Sequence, residues 1–136
     1  MNTNSQNIGF DFSTIIRNMF FVFMGAGLFL LKRYYSGPLE DLVHSYAGNI
    51  FVSFALYFVF INPFVHAPLK AKRVITALLV LAIVESFEAF NGFGFMANTY
   101  DPVDFIANAA GVGFALGLDT MLHRKSTRDL KARSSS

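Results

Sequence analysis

The feature that most constrains this chain is the placement of its charges around four apolar stretches. The stretches cover about Thr14–Leu31, Ala47–Phe64, Arg73–Phe90 and Val103–Leu118. As α-helices at 1.5 Å per residue, each is about 24–27 Å long, close to the roughly 30 Å hydrocarbon core of a bilayer. Because only short polar segments connect them, the pattern predicts an all-α fold, a transmembrane four-helix bundle with short loops.

The composition agrees with a membrane protein. Apolar residues make up 54% of the 136 residues and charged residues only 15%, and 17 residues are Phe. A soluble helical bundle is the alternative, but its helices would need a polar face, and the run Ile50–Ile61 offers only Ser53. The absence of Cys excludes disulfides, thiolate metal sites and Cys nucleophiles.

The charges also predict an orientation. Four crossings put both termini and the connection between the second and third spans on one side, and that side carries nine of the eleven Lys and Arg residues. Most acidic residues fall on the other side. By the positive-inside rule, both termini are expected in the cytoplasm of a multi-pass protein of the bacterial inner (plasma) membrane.

By length the chain is one domain, and we divide it into three segments. Residues 1–13 are expected to be a disordered or interfacial lead-in, 14–119 the membrane domain and 120–136 a basic cytoplasmic tail. Within the membrane domain, Arg17 is expected to extend to the membrane surface. Pro38–Tyr46 is expected to form a short surface helix, and Asn62-Pro63 to end the second span.

Polar residues on the third and fourth spans form the candidate site. Glu85 and Glu88 share one helix face, and by helical rise they fall at a similar depth to Asn108. A second face combines the following residues: Asp101, Asp104, Asn108 and Gly111. Carboxylates inside a membrane are energetically costly and are therefore candidates for function. Lys32 and Arg33 are the possible counter-charges.

The chemistry of this polar cluster stays open at the level of sequence. It can act as a structural clamp between helices, or bind a ligand, an envelope component or a membrane-protein partner. No catalytic residue is identified. No metal or cofactor is predicted, because no ligand-binding loop spacing accompanies the acids and the three His residues are far apart. Membrane lipid is the expected partner of the basic tail, and nucleic acid is not.

Small residues indicate close helix contacts. Gly25 and Gly27 lie in the middle of the first span, and Ala109, Gly113 and Gly117 recur every four residues on the fourth. Such spacing lets two helix backbones approach each other, either within the bundle or against a partner span.

The stretch Glu85-x-x-Glu88, followed by Tyr100-Asp101-Pro102-x-Asp104-x-x-x-Asn108-x-x-Gly111, resembles the signature of VanZ-like integral membrane proteins. Four positions agree: Glu85, Asp104, Asn108 and Gly111. Glu88 replaces the Gln of that signature, Ala115 replaces a common second Gly, and the segment 91–100 lacks the usual Arg. The resemblance implies that Lys32 or Arg33 substitutes for that Arg.

The resemblance also implies a short four-span bundle at the bacterial cell envelope. The named member of the family is associated with antibiotic resistance, namely low-level resistance to teicoplanin. We therefore expect a non-enzymatic binding or accessory subunit that acts through its outer-leaflet polar cluster. The alternatives are an enzyme acting on a lipid-linked envelope precursor, with Glu85 or Glu88 as acid/base, and a transporter subunit in which these carboxylates carry protons.

Overall fold

A computed structural model of the chain describes residues 12–65, 67, 69, 71–90 and 101–134, and beyond Lys125 it describes a side chain only at Arg128. The regular structure in these residues is helical. Four α-helices occur in this part of the chain: α1 (Phe12–Leu31), α2 (Glu40–Ile61), α3 (Lys72–Ala89) and α4 (Pro102–Ser134). Short 3₁₀ turns at Lys32–Tyr34 and Asn62–Phe64 follow α1 and α2. The predicted all-α four-helix bundle is confirmed.

Helix α2 is the centre of the bundle and packs against α1, α3 and α4, while α3 also packs against α4. Most of the buried core comes from α2, α3 and α4, with partly buried side chains of α1 packed on the outside. The core residues are Phe54, Tyr57, Phe58, Ile61, Ala77, Val80, Val84, Val112 and Ala115. Ring contacts join α1 to this core, with the centroids of Phe21 and Phe58 4.7 Å apart.

Three of the helices, with their adjoining turns, are long and apolar enough to cross a membrane: Phe12–Tyr34, Glu40–Phe64 and Pro102–Lys125. Helix α1 also exposes large apolar side chains such as Phe20 and Phe23, which lipid would cover. Among the described residues, α3 does not meet this criterion. It has 18 residues and carries charges near both ends, so its crossing of the membrane remains a prediction.

The first turns of α2 differ from our expectation. The prediction of a separate surface helix over Pro38–Tyr46 was wrong, because α2 runs without interruption from Glu40 to Ile61. Leu39 precedes it with a left-handed φ of 61°, which reverses the chain after the 3₁₀ turn. Glu40 and Asp41 then lie in the first turn, where negative charge favours the helix dipole. At the other end, the helix gives way to a 3₁₀ turn at Asn62-Pro63, as predicted.

Helix α4 is longer than the predicted fourth span. The Asp101 carboxylate accepts a 2.9 Å hydrogen bond from the Val103 N–H and so caps the start of the helix. The helix then continues past Leu118 to Ser134, about 50 Å in all at 1.5 Å per residue. The basic tail is therefore helical as far as it is described. The predicted lead-in lies outside the described residues except for Phe12 and Ser13, as does the segment 91–100.

Candidate functional site

The predicted polar face of α4 is buried in the bundle. Asp104 is 8% exposed and Asn108 3% exposed, and Gly111 is buried on the same face. We call Glu85, Asp101, Asp104 and Asn108 the Asp104 cluster, and the end of the bundle where they lie the Asp104 end. The spacing of these residues along α4 was enough to predict that they share a face, because positions three and four apart are neighbours on a helix.

The hydrogen-bond partners of the two Asp residues come from α2. Asn49 donates from Nδ2 to Asp104 Oδ1 over 2.6 Å, and the Tyr46 hydroxyl donates to Asp101 Oδ2 over 2.8 Å. We expected the acidic face to meet α3, and neither of these donors on α2 was predicted. A signal was available, because Tyr46, Asn49 and Ser53 follow a helical spacing within an otherwise apolar segment.

Asp101 lies just outside the start of α4. Two donors, the Val103 N–H and the Tyr46 hydroxyl, hold the pKa of the Asp101 carboxyl below its ordinary value. The carboxylate therefore keeps its negative charge at neutral pH. That charge adds to the acidic character of the Asp104 cluster.

Glu85 and Asn108 face each other across α3 and α4 without forming a geometrically sound hydrogen bond. Their side chains are near enough to interact electrostatically. However, Glu85 Oε2 and Asn108 Nδ2 are both buried, and neither has a hydrogen-bond partner of acceptable distance and angle among the described residues. A hydrogen bond weakens steeply with poor alignment, so the approach of the two side chains leaves both atoms unsatisfied. The site thus offers one buried acceptor and one buried donor.

The cluster has a one-sided charge. Within the described residues, the charged groups that act on Glu85 and Asp104 are other carboxyls, those of Glu88 and Asp101 respectively. The proposed counter-charges have other contacts. Lys32 donates from Nζ to the His44 carbonyl over 3.0 Å and lies over the Phe29 ring, and the Arg33 guanidinium lies over the Tyr34 ring.

The small residues divide into two groups. A Cβ at Gly25 would lie 3.0 Å from both Ala55 Cβ and the Phe51 carbonyl oxygen, so Gly25 allows α1 to approach α2 closely. A Cβ at Gly111 would overlap Ser53 Oγ and the Ile50 carbonyl oxygen, so Gly111 does the same for α4 and α2. The other small residues make no such contact. A Cβ at Gly27, Gly113 or Gly117 would meet nothing within 4 Å, and Ala109 is exposed. The repeated small residues of α4, Ala109, Gly113 and Gly117, therefore face away from the bundle.

A second polar cluster, at the opposite end of the bundle, was not predicted. The Asp119 carboxylate is 2% exposed and accepts hydrogen bonds from α1, α2 and α3. Arg17 Nη2 donates to Oδ1 over 2.7 Å, Arg73 Nε donates to Oδ2 over 2.8 Å, and the Tyr57 hydroxyl lies 3.3 Å from Oδ2. We call these four residues the Asp119 cluster, and this end of the bundle the Asp119 end. One carboxylate therefore links all four helices.

The Asp119 cluster is extended by two amides. Arg17 also donates to Asn18 Oδ1 over 2.9 Å, and Asn18 Nδ2 donates to Asn62 Oδ1 over 2.8 Å. Asn18 is completely buried, and this chain of bonds satisfies both ends of its amide. Arg17, which we expected to extend to the membrane surface, pairs its guanidinium with Asp119 and keeps its side chain 26% exposed.

The sequence did contain a signal for the Asp119 cluster. The buried face of α4 continues from Gly111 to Ala115 and then to Asp119 at intervals of four residues. An acid on that face, at the depth of Arg17 and Arg73, predicts an ion pair. A count of charges on each side of the membrane does not predict the contact, because it takes each of these three residues separately.

Comparison of the chain with protein-family models, with curated proteins and with solved structures gives no match in any of the three. Among the described residues, no three His, Cys, Asp or Glu side chains gather in a group that could hold a metal ion. The site thus presents a buried donor and a buried acceptor in acidic surroundings.

Proposed function

We propose that this chain is a multi-pass protein of the bacterial inner membrane that acts as a non-enzymatic binding or accessory subunit at the cell envelope. In this proposal all four helices cross the membrane and both termini lie in the cytoplasm. The Asp104 end then faces outward, and the Asp119 end and the basic part of α4 face inward. The distribution of Lys and Arg along the sequence supports this orientation.

The observation that carries the proposal is the unbonded pair of buried atoms, Glu85 Oε2 and Asn108 Nδ2. A buried polar atom without a partner costs about 1–3 kcal/mol, so a bound group that satisfied both atoms would be favoured. The nearby carboxyls select a ligand that carries positive charge. A primary ammonium group with an adjacent acceptor oxygen, as in an aminated headgroup or a peptide end, has this chemistry.

Membership of the VanZ-like family is part of the same proposal. The four positions that agree with the signature are Glu85, Asp104, Asn108 and Gly111, and they surround one location in the bundle. Gly111 allows the close contact of α4 with α2, Asp104 bonds to α2, and Asn108 faces Glu85. This grouping supports a shared binding role for the motif.

Mild detergent extraction followed by mass spectrometry of bound small molecules tests the proposal. We expect an amine-bearing envelope component to remain with the wild-type chain and to be lost from Glu85→Gln and from Asn108→Leu. Glu40→Gln is the matched control, because Glu40 is an acid near the same end with a side chain that is 53% exposed. Retention of the same molecules by all four chains would contradict a binding role for the Asp104 cluster.

A further inference from the structure

The Asp119 cluster contains more positive than negative charge. One carboxylate faces two guanidinium groups, those of Arg17 and Arg73, so the group as a whole carries one excess positive charge. The two Arg side chains are 26% and 23% exposed, whereas Asp119 is 2% exposed. The excess charge therefore lies on the side of the cluster that is open to the surroundings, and not in its interior.

The hydrogen-bond donors of Arg73 are only partly used. A guanidinium has five N–H groups in a rigid fork. Arg73 uses Nε for Asp119, and within the described part of the chain its two Nη groups donate to nothing. Arg17 differs, because its Nε and Nη2 already bond to Asn18 and Asp119. Arg73 is thus held in place through one nitrogen and has four N–H groups left.

Two further cationic or titratable groups lie beside Arg73. Lys72 is fixed by hydrogen bonds from Nζ to the carbonyl oxygens of Val65 and Ala67, at 2.6 and 3.3 Å. His123, one turn beyond Asp119 on α4, lies within electrostatic range of both Arg73 and Lys72. Lys72 and Arg73 are therefore held within electrostatic range of each other at the start of α3 despite their mutual repulsion, an arrangement that a bound anion would stabilise.

From this geometry we infer a binding site for a phosphate-type oxyanion at the Asp119 end, formed by the free Nη groups of Arg73 together with Lys72. The planar fork of Arg matches two oxygens of a phosphate, and Lys adds a point charge. The oxyanion is either a lipid headgroup phosphate or a soluble phosphate. Basic sites between helices at the level of the headgroups are typical places for anionic lipids. The inference does not depend on the proposed function, because the two clusters lie at opposite ends of the bundle.

The test uses the full chain in maltoside micelles, which contain no phosphate. The midpoint of thermal unfolding is followed by circular dichroism during titration with phosphatidylglycerol or with inorganic phosphate at constant ionic strength. Diacylglycerol, which lacks the phosphate, is the lipid control. We expect phosphatidylglycerol to raise the midpoint and diacylglycerol to leave it unchanged. A response to phosphatidylglycerol alone identifies a lipid headgroup, and an equal response to inorganic phosphate identifies a soluble ligand.

Single substitutions test whether the rise in the thermal midpoint comes from phosphate binding at Arg73 and Lys72. Arg73→Gln and Lys72→Gln are each expected to weaken the apparent affinity on the order of tenfold, which corresponds to the loss of one charge-assisted contact. Lys72→Gln leaves the Asp119 ion pairs intact, so it remains informative if Arg73→Gln impairs folding. Arg33→Gln is the matched control, since Arg33 is a cation that lies at the other end of the bundle over Tyr34. No response to either phosphate, or equal weakening by Arg33→Gln, would overturn the inference.

Discussion

The buried acidic residues at the two ends of the bundle have opposite electrostatic surroundings. Asp119 has two guanidinium groups and a phenol as partners, and it connects all four helices. Among the described residues, the Asp104 carboxyl has one amide partner, and the charged group acting on it is another carboxyl. The Asp119 end therefore carries excess positive charge and the Asp104 end excess negative charge. The ion pairs of Asp119 hold the helices together. The Asp104 end instead leaves Glu85 Oε2 and Asn108 Nδ2 without a hydrogen-bond partner among the described residues.

The largest expected effect is on stability, and it compares the two acids directly. Asp119→Ala removes the common partner of Arg17 and Arg73 and leaves both charges partly buried without compensation, at a cost of about 3–5 kcal/mol. Asp104→Ala removes one hydrogen bond and also one like charge, so its cost is expected to be on the order of 1 kcal/mol. Reversible unfolding in mixed micelles measures both values. Equal losses would show that the two ends do not differ in this way.

A smaller effect concerns the contact that joins the two ends. Gly111 lies between Asp104 and Asp119 on the buried face of α4, where a Cβ would overlap backbone and side-chain atoms of α2. Gly111→Ala is expected to destabilise the bundle by about 1–3 kcal/mol through overpacking. Gly113→Ala, two residues further on, is the matched control because a Cβ there meets nothing within 4 Å.

The same two variants also show whether the α2–α4 contact connects the two ends of the bundle. If the α2–α4 contact holds both clusters in register, Gly111→Ala lowers the thermal midpoint and also weakens retention of the proposed ligand at the Asp104 end. A midpoint that is the same in Gly111→Ala and Gly113→Ala would show that the close approach of α2 and α4 has no energetic importance.

The smallest effect is a pH dependence at the Asp104 end. The pKa of Asp101 is lowered on folding, chiefly by the Val103 N–H and then by the Tyr46 hydroxyl. Its contribution to stability is therefore complete above the ordinary pKa of 3.8 and is lost as the pH falls through the lower value of the folded state. The thermal midpoint of Asp101→Asn should accordingly fall less between neutral and acidic pH than that of the wild-type chain.

Tyr46→Phe provides an intermediate case for the same measurement. It removes one of the two donors to Asp101 and keeps the helix cap from Val103, so its pH dependence should lie between those of the wild type and Asp101→Asn. A profile identical to the wild type would show that the Tyr46 hydroxyl does not stabilise the Asp101 carboxylate.

Simple patterns in the sequence predicted the fold and one of the two polar clusters, the Asp104 cluster. Apolar runs and breakers predicted four helices, and the spacing of Asp104, Asn108 and Gly111 predicted their common buried face. The partners of these residues did not follow, because periodicity tells which residues share a face and not which neighbouring helix that face contacts. Asn49, the partner of Asp104, and Tyr46, the partner of the neighbouring Asp101, were missed for this reason.

The Asp119 cluster was missed for a different reason. Arg17 and Arg73 are separated from Asp119 by 102 and 46 positions. The positive-inside rule only counts charges on each side of the membrane, and it assumes that each charged side chain is solvated. Burial at the end of a bundle makes pairing more favourable than exposure, since an unpaired buried charge is costly. Only the tertiary arrangement brings these three side chains together.

The length of α4 has a mechanical consequence. Asp119 holds this helix close to its midpoint, and about 22 Å of continuous helix extends from there to Ser134 at 1.5 Å per residue. A rod pivoting at Asp119 by 10° would displace its far end by about 4 Å. Rearrangement of a single carboxylate in the bundle would therefore be amplified into movement of the distal basic segment, well beyond the packed helices.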